Sequence, residues 1–212
     1  MFGLMDQFRR PKGRRGRFVA ALMNRGHKPL TMWGLTHVEI EPDYVILDAG
    51  CGGGKTVSRL AQKAPRGKVF GIDYSADMVE YSKKVNKKLI AENRVEIVKA
   101  TVDKTGFSDD FFDLVTAVET YYFWPSFSDA LKEMLRVLKP GGKFLMVNEM
   151  VQDGVYDVKS AKIIEQAHVK LISLDEIKNT ALSVGFADVQ IFTKDGSPWN
   201  AVLAKKPEIK KR

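Results

Sequence analysis

Cysteine is almost missing. The chain of 212 residues holds one, Cys51, which rules out any internal disulfide. Histidine is nearly as scarce: His27 and His37 lie ten residues apart and His168 is remote, a spacing that fits no metal site, so no metal is expected. Long apolar runs are absent too. None approaches the roughly 18 residues of a membrane-spanning helix, and no basic start followed by an apolar stretch looks like a secretion signal. These absences point to a soluble, cytoplasmic chain with no membrane partner.

Negative charge is in short supply as well, with a net charge of +8, but the excess sits at the ends. Residues 1 to 17 carry +5 and residues 205 to 212 carry +4, so the ends hold +9 and leave −1 for everything between. A near-neutral body with two basic ends is not a basic face that tracks a phosphate backbone, and nucleic acid is not the expected partner. Residues 1–16, rich in Arg, Gly and Pro, are expected to form a disordered tail, and residues 207–212 a second basic tail. The remainder, with 44% hydrophobic residues overall, is long enough to bury one full core.

From Tyr44 onward, the strand-like runs YVILDA (44–49), KVFGID (68–73), RVEIVKA (94–100), FDLVTAV (112–118) and KFLMVNE (143–149) alternate with helical periodicity at about 54–64, 76–92 and 126–138. Strands rich in Val, Ile and Leu, each leading to a helix, predict parallel βαβ units with right-handed crossovers. The fold class is therefore a doubly wound α/β domain, over 42–206. LKPGGK (138–143) is expected to turn the chain from a helix into the fifth strand. After residue 150 the next helix is expected at Ser173, where S-L-D-E forms a capping box, ending at Gly185. DVQIFT (188–193) and NAVLAKK (200–206) follow with no helix between them, so they form a hairpin and one of them runs antiparallel. Residues 17–41 carry apolar residues at helical spacing, interrupted by Gly26 and Pro29, and are expected to form a helical lid over the carboxyl ends of the strands.

In such a sheet, ligands sit outside the carboxyl ends of the strands, so LDAGCGGGKT (47–56) marks the site. Read from Ala49, it is one residue away from a triphosphate-binding loop, but Asp48 would then place a carboxylate beside a polyanion. The dinucleotide fingerprint fits Gly50 and Gly52, yet it puts Lys55 where a third glycine should let helix and strand approach. A sulfonium cofactor such as S-adenosylmethionine accounts for more of the pattern. Its adenosine ribose suits Asp73 at the end of the second strand, its cationic methionine end suits Asp48, and it needs no phosphate partner at Lys55. Gly50, Gly52 and Gly54 would let the backbone pass close to it.

VILDAGCGGG, VFGIDYS, VKATVDKTGFSDDFFDLV and RVLKPGGKF, in this order and spacing, resemble the successive motifs of class I S-adenosylmethionine-dependent methyltransferases of the small-molecule type, over about residues 44–204. The resemblance implies a Rossmann-like, mostly parallel seven-stranded sheet with one antiparallel strand near its end. It implies S-adenosylmethionine as cofactor and S-adenosylhomocysteine as product. Asp48, Gly50, Cys51, Gly52 and Gly54 would then form the loop under the methionine moiety, Asp73 would bind the ribose, and Tyr74 would lie against the adenine. The family often has an acidic residue after strand three. Thr101 stands there in this chain, so adenine recognition is expected to rest on Thr101 and the backbone amide of Val102, with Asp103 as a substitute.

ETYYFWP (119–125) follows strand four, next to where the transferable methyl would lie in this fold class. Phe123 and Trp124 are expected to pack between lid and sheet. Glu119, Tyr121 and Tyr122 are expected to line the acceptor pocket together with Glu149 and His27, and Glu119 also to touch the methionine end of the cofactor. Two carboxylates at adjoining strand ends suggest an acceptor that carries positive charge or several hydroxyls. Cys51 has no base partner and reads as a small loop residue. The expected activity is methyl transfer to a small molecule by in-line displacement. Two alternatives remain open: methylation of RNA or protein through the basic tails, and a catalytically silent module that binds the cofactor and regulates a partner. Neither the acceptor atom, a general base nor the oligomeric state can be read from the residues.

Overall fold

The computed structural model describes residues 25–167 and 169–208, together with Gly13. The rest of the first tail, the start of the expected lid with Leu22 and Met23, His168 and residues 209–212 lie outside the described residues.

The chain runs α1 (Lys28–Gly34), a 3-10 turn (Leu35–His37), β1 (Val45–Ala49), α2 (Lys55–Lys63), β2 (Lys68–Asp73), α3 (Ala76–Val85), α4 (Lys87–Ala91), β3 (Val95–Lys99) and β4 (Phe112–Val118). It continues through a second 3-10 turn (Tyr121–Phe123), α5 (Phe127–Val137), β5 (Leu138–Asn148), α6 (Tyr156–Lys159), α7 (Ala161–Ala167), α8 (Leu174–Ser183), β6 (Ala187–Thr193) and β7 (Asn200–Lys205). The strands form one seven-stranded sheet in the order β3-β2-β1-β4-β5-β7-β6. All pairings are parallel up to β5, and β7 runs antiparallel to both of its neighbours, as the hairpin reading requires.

Alternation within each strand covers both faces. Ile46, Val69, Leu114, Leu145 and Val147 pack with Leu30 before the first 3-10 turn, with Val57 and Leu60 of α2 and with Val79 of α3. Their neighbours Leu47, Phe70, Val115 and Met146 pack on the other side with Leu131 and Met134 of α5 and Ile177 of α8. Continuous apolar strands are the consequence, because every residue of a sheet covered on both faces is buried.

Three local features differ from the expectations. The helix predicted over 76–92 breaks at Asn86, whose side-chain amide turns inward. KPGG is no simple turn: β5 already begins at Leu138, and its register against β4 jumps from Phe112↔Leu138 to Leu114↔Lys143, so the segment bulges within the strand. The bulge is pinned by Gly141 N–H on the Lys206 carbonyl at 3.0 Å and by Lys206 N–H on that of Gly142 at 2.9 Å. The short helices α6 and α7 are also additions. At α6, Val155 just before it and Val158 within it are exposed and offer no apolar periodicity to read.

The segment before β1 is tied firmly to the sheet. Leu30 and Leu35 are fully buried, Trp33 leans on Trp199, and His37 stacks on Phe192 at 4.2 Å between ring centres. Gly34 lies so close to β5 that a Cβ would stand 2.4 Å from Val147 Cγ2. In an open helix Gly→Ala stabilises by about 0.5–1 kcal/mol. Here overpacking a buried β-branched residue costs about 1–3 kcal/mol and should prevail. Gly34→Ala is therefore expected to lower the midpoint of thermal or urea unfolding, and a raised midpoint would show that α1 is free to shift.

Candidate active site

The loop between β1 and α2 is built around left-handed glycines. Gly50, Gly52 and Gly54 have φ of +78°, +47° and +75°. The amides of Gly50 and Cys51 donate to the Ile72 carbonyl at 2.9 and 2.8 Å, which draws the loop across the end of β2. The three glycines serve different ends. A Cβ on Gly50 would meet Thr120 Oγ1 at 2.2 Å and one on Gly54 would meet Ser82 Oγ at 2.2 Å, so these two make room for the protein itself. Around a Cβ on Gly52 nothing lies within 4 Å, so this glycine is the one whose backbone faces open space. Asp73 points at the same place. Its carboxylate accepts the Gly52 amide at 3.0 Å and the Ser75 amide at 2.8 Å, which fixes it while leaving each oxygen capacity for a further donor.

Asp48 is fully enclosed and accepts the Thr116 hydroxyl at 2.8 Å. Burial pushes its pKa up to about 7, with Asp73 adding to the rise and Thr116 and the Arg59 cation opposing it. A carboxyl group with a raised folded pKa favours the fold while protonated and ceases to do so as pH climbs through that value. The cofactor-free chain is therefore expected to melt lower at about pH 8 than at about pH 5, the loss falling between the unfolded carboxylate value near 3.9 and about 7. Asp48→Asn should shrink that difference in melting temperature, and a parental pH profile in the variant would assign it to other groups.

The other candidates divide. Cys51 is buried beside Ser82 Oγ at 3.9 Å, and burial holds its thiol well above the ordinary range, which suits a small loop residue and not a nucleophile. Tyr74 is 39% exposed just past Asp73, where a ring can lie over a ligand. Thr101 is exposed and bridges to Lys104, Val102 is half-buried against the core, and Asp103 is exposed.

At the ends of β4 and β5 the chain assembles a polar knot. Glu119 has a left-handed backbone, φ +58°, uncommon for a residue with a side chain. Its amide donates to the Val147 carbonyl at 2.9 Å, and its Oε1 accepts the Tyr122 hydroxyl at 2.9 Å and the Glu149 amide. The Tyr122 hydroxyl in turn accepts the amides of Glu149 and Met150 at 3.1 and 3.0 Å. His27 Nε2 stands 3.9 Å from Glu119 Oε2. Burial pushes the Glu119 carboxyl up to about 8 and lowers His27, which the charge of Glu149 partly restores. Tyr121 is not part of the knot. Its hydroxyl donates to the Met150 carbonyl at 3.1 Å, and it lines a separate cleft of about 310 Å³ with Trp124, Phe127 and Ile172. Trp124 is buried, with its indole N–H on Thr120 Oγ1 at 3.2 Å, and Phe123 packs on the same core.

Several residues outside the motifs support the site. Thr116 holds Asp48 and could have been noticed as the polar residue inside an apolar central strand. Asn86 donates to the Gly54 carbonyl at 3.0 Å and accepts the Ser58 hydroxyl at 2.7 Å, so the end of α3 braces the loop. Ser82 and Asn86, four apart on one helical face, were the available signal.

A buried carboxylate with capacity for ribose hydroxyls, a second beneath the loop and an open approach at Gly52 fit S-adenosylmethionine. Residues 47–146 match the methyltransferase domain family. The chain is 26% identical to sarcosine/dimethylglycine N-methyltransferase of Halorhodospira halochloris over 152 residues, 71% of this chain and 54% of that protein. It is 29% identical to the ubiquinone/menaquinone biosynthesis C-methyltransferase UbiE of Geotalea daltonii over 176 residues, 72% of this chain and 74% of that protein. Among solved structures, Haemonchus contortus phosphoethanolamine N-methyltransferase 2 in complex with S-adenosyl-L-methionine superposes with a TM-score of 0.80 at 18% identity, covering 98% of this chain and 61% of that one. A chain from the complex of the Haloferax volcanii Trm112 methyltransferase activator with a methyltransferase gives 0.78 at 19% identity, covering 91% and 97%. The chain thus spans about half the length of several curated relatives. No helix among the described residues is long and apolar enough to cross a membrane.

Proposed function

Because the chain belongs to the class I S-adenosylmethionine-dependent methyltransferases, we propose that it moves the methyl group of S-adenosylmethionine to a small molecule held at the ends of β4 and β5. The observation that carries this reading is the pairing of two neighbourhoods: Asp73 locked onto Gly52 N–H at the open side of the glycine loop, and a second polar cluster of His27, Glu119 and Glu149 at the adjoining strand ends.

The bound cofactor supplies an electrophilic methyl on a cationic sulfur. The chain's own task is alignment and the exclusion of water. Asp73 takes the ribose hydroxyls, Asp48 lies below the methionine end, and Tyr74 with Thr101 and Val102 borders the adenine. Glu119, braced by Tyr122, and Glu149 orient the acceptor. The described part of the segment before β1, residues 25–41, covers it through His27, with Leu30 and Leu35 as the anchor that keeps this cover on the sheet. Small-molecule acceptors are in keeping with the relatives' printed activities.

The test is to incubate the chain with S-adenosylmethionine carrying a labelled methyl and fractionated metabolite pools, and to follow both label transfer and release of S-adenosylhomocysteine. His27→Ala and Glu149→Gln should keep the affinity for S-adenosylhomocysteine within about twofold, roughly 0.4 kcal/mol, while cutting transfer by tenfold or more. Parental transfer rates in both would put the acceptor on the other side of the cofactor. Binding of S-adenosylhomocysteine without transfer to any pool would make the chain a silent binding module.

A further inference from the structure

The cluster of His27, Glu119 and Glu149 comes from three separate parts of the chain: the residue that precedes α1, the turn after β4 and the turn after β5. Each offers one ligand atom, and these atoms all lie within 4.8 Å of one another. The spacing of histidines along the sequence could not reveal this, because only one of the three groups is an imidazole.

The geometry is that of ligands around a point, not of a hydrogen-bonded pair. His27 Nε2 and Glu119 Oε2 are 3.9 Å apart, too far for a hydrogen bond. Two donors bound to one ion at about 2.0–2.2 Å each stand at most roughly 4.0–4.4 Å apart, so 3.9 Å lies within reach of a shared ion, and a cluster bounded at 4.8 Å needs to contract by about half an ångström at most. Glu119 is also held as a ligating carboxylate is held. Its Oε1 is engaged by the Tyr122 hydroxyl and the Glu149 amide, and Oε2 is thereby turned to His27. Hydrogen bonds of this kind orient the carboxylates of metal sites. The left-handed backbone of Glu119 is a further sign that the surrounding structure fixes the direction of this side chain.

Charge gives an independent reason. Glu119 is nine-tenths buried, with Glu149 beside it, and among the described residues no lysine or arginine pairs with either carboxylate.

We propose that His27, Glu119 and Glu149 form a binding site for one divalent transition-metal ion at the acceptor end of the pocket. One imidazole with two carboxylates suits zinc or manganese, and three protein ligands leave positions open to an outside ligand. Two carboxylates match the charge of a dication. The use of the site rests on the methyl-transfer reading: an acceptor with adjacent oxygen donors could ligate the ion and be held with one atom towards the methyl. Binding of the ion does not depend on that reading.

The experiment uses the full chain, stripped with a chelator and titrated with manganese chloride under electron paramagnetic resonance and with zinc chloride in a calorimeter. In parallel, S-adenosylhomocysteine is titrated into every sample. The parent should bind about one ion per chain, and His27→Ala, Glu119→Gln and Glu149→Gln should each weaken it by tenfold or more, about 1.4 kcal/mol. The His27 and Glu149 variants should retain cofactor affinity, which shows that they remain folded. A parent that binds S-adenosylhomocysteine but neither ion at roughly millimolar concentration, or variants that bind either ion as tightly as the parent, would overturn the site and leave the methyl-transfer reading in place. Ion binding that is lost in the variants, in a chain that does not bind S-adenosylhomocysteine, would uphold the site and overturn that reading.

Discussion

Replacing Asp73 with alanine is expected to weaken S-adenosylhomocysteine by about a hundredfold or more, roughly 2.7 kcal/mol. Two losses add up. A hydrogen bond to a charged acceptor contributes about 1.5–3 kcal/mol, and the ribose offers two hydroxyls. The same carboxylate also holds the Gly52 and Ser75 amides at 3.0 and 2.8 Å, so the loop that faces the ligand loses its fixed course. Burial raises the Asp73 pKa, which means that the charged side chain is itself costly to the cofactor-free fold. The damage should therefore show far more in calorimetric affinity than in melting temperature. Unaltered affinity would place the ribose elsewhere, and a collapse of the fold would make the carboxylate a structural group first.

Gly54→Ala and Gly52→Ala should fail in opposite ways. At Gly54 a side chain adopts left-handed backbone, at a cost of about 1–2 kcal/mol. Its Cβ would stand 2.2 Å from Ser82 Oγ and 3.0 Å from the Ser82 Cα, and backbone cannot swing aside as the end of a flexible side chain can. With strain from overpacking and the weakened Asn86 bond to the Gly54 carbonyl, the total is about 3–5 kcal/mol. For a chain of this size the melting temperature should fall by roughly 10 °C. At Gly52 no atom lies within 4 Å of the added carbon, so stability should drop by only about 1–2 kcal/mol. There the methyl group enters the space in which the cofactor is expected, and affinity for S-adenosylhomocysteine should suffer instead. Thermal melts with and without the ligand separate the two. Full affinity in Gly52→Ala would show that this glycine does not face the ligand.

The strands and the glycine loop were readable because their causes are local. A strand buried on both faces must be apolar throughout, and a chain that turns sharply with φ near +75° must use glycine, so YVILDA and GCGGG announce themselves. The acceptor end was only half readable. Glu119, Tyr122 and Glu149 could be picked out at strand ends, but not that one tyrosine hydroxyl would tie the two glutamates' segments together. Nor could Tyr121 be told from Tyr122: a tight turn sends adjacent side chains to different partners, Met150 for one and Glu119 for the other. The helix Tyr156–Lys159 buries none of its residues, so it leaves no periodic apolar trace. KPGG carries the residues of a turn, and its bulge depends on Lys206, which arrives much later in the chain.

The position of β7 bears on the order in which this protein can acquire its sheet as it is made. β6 leaves the ribosome before β7, yet β7 is the strand that lies between β5 and β6. Until Asn200–Lys205 has emerged, β5 presents an unpaired apolar edge and β6 has no neighbour in the sheet to pair with. Such an edge invites pairing with the wrong chain. A nascent chain stalled before residue 200 would thus have its glycine loop and most of its parallel strands with the largely buried β5 standing at the edge, and the arrival of β7 moves that edge outward to β6, whose residues are only partly buried.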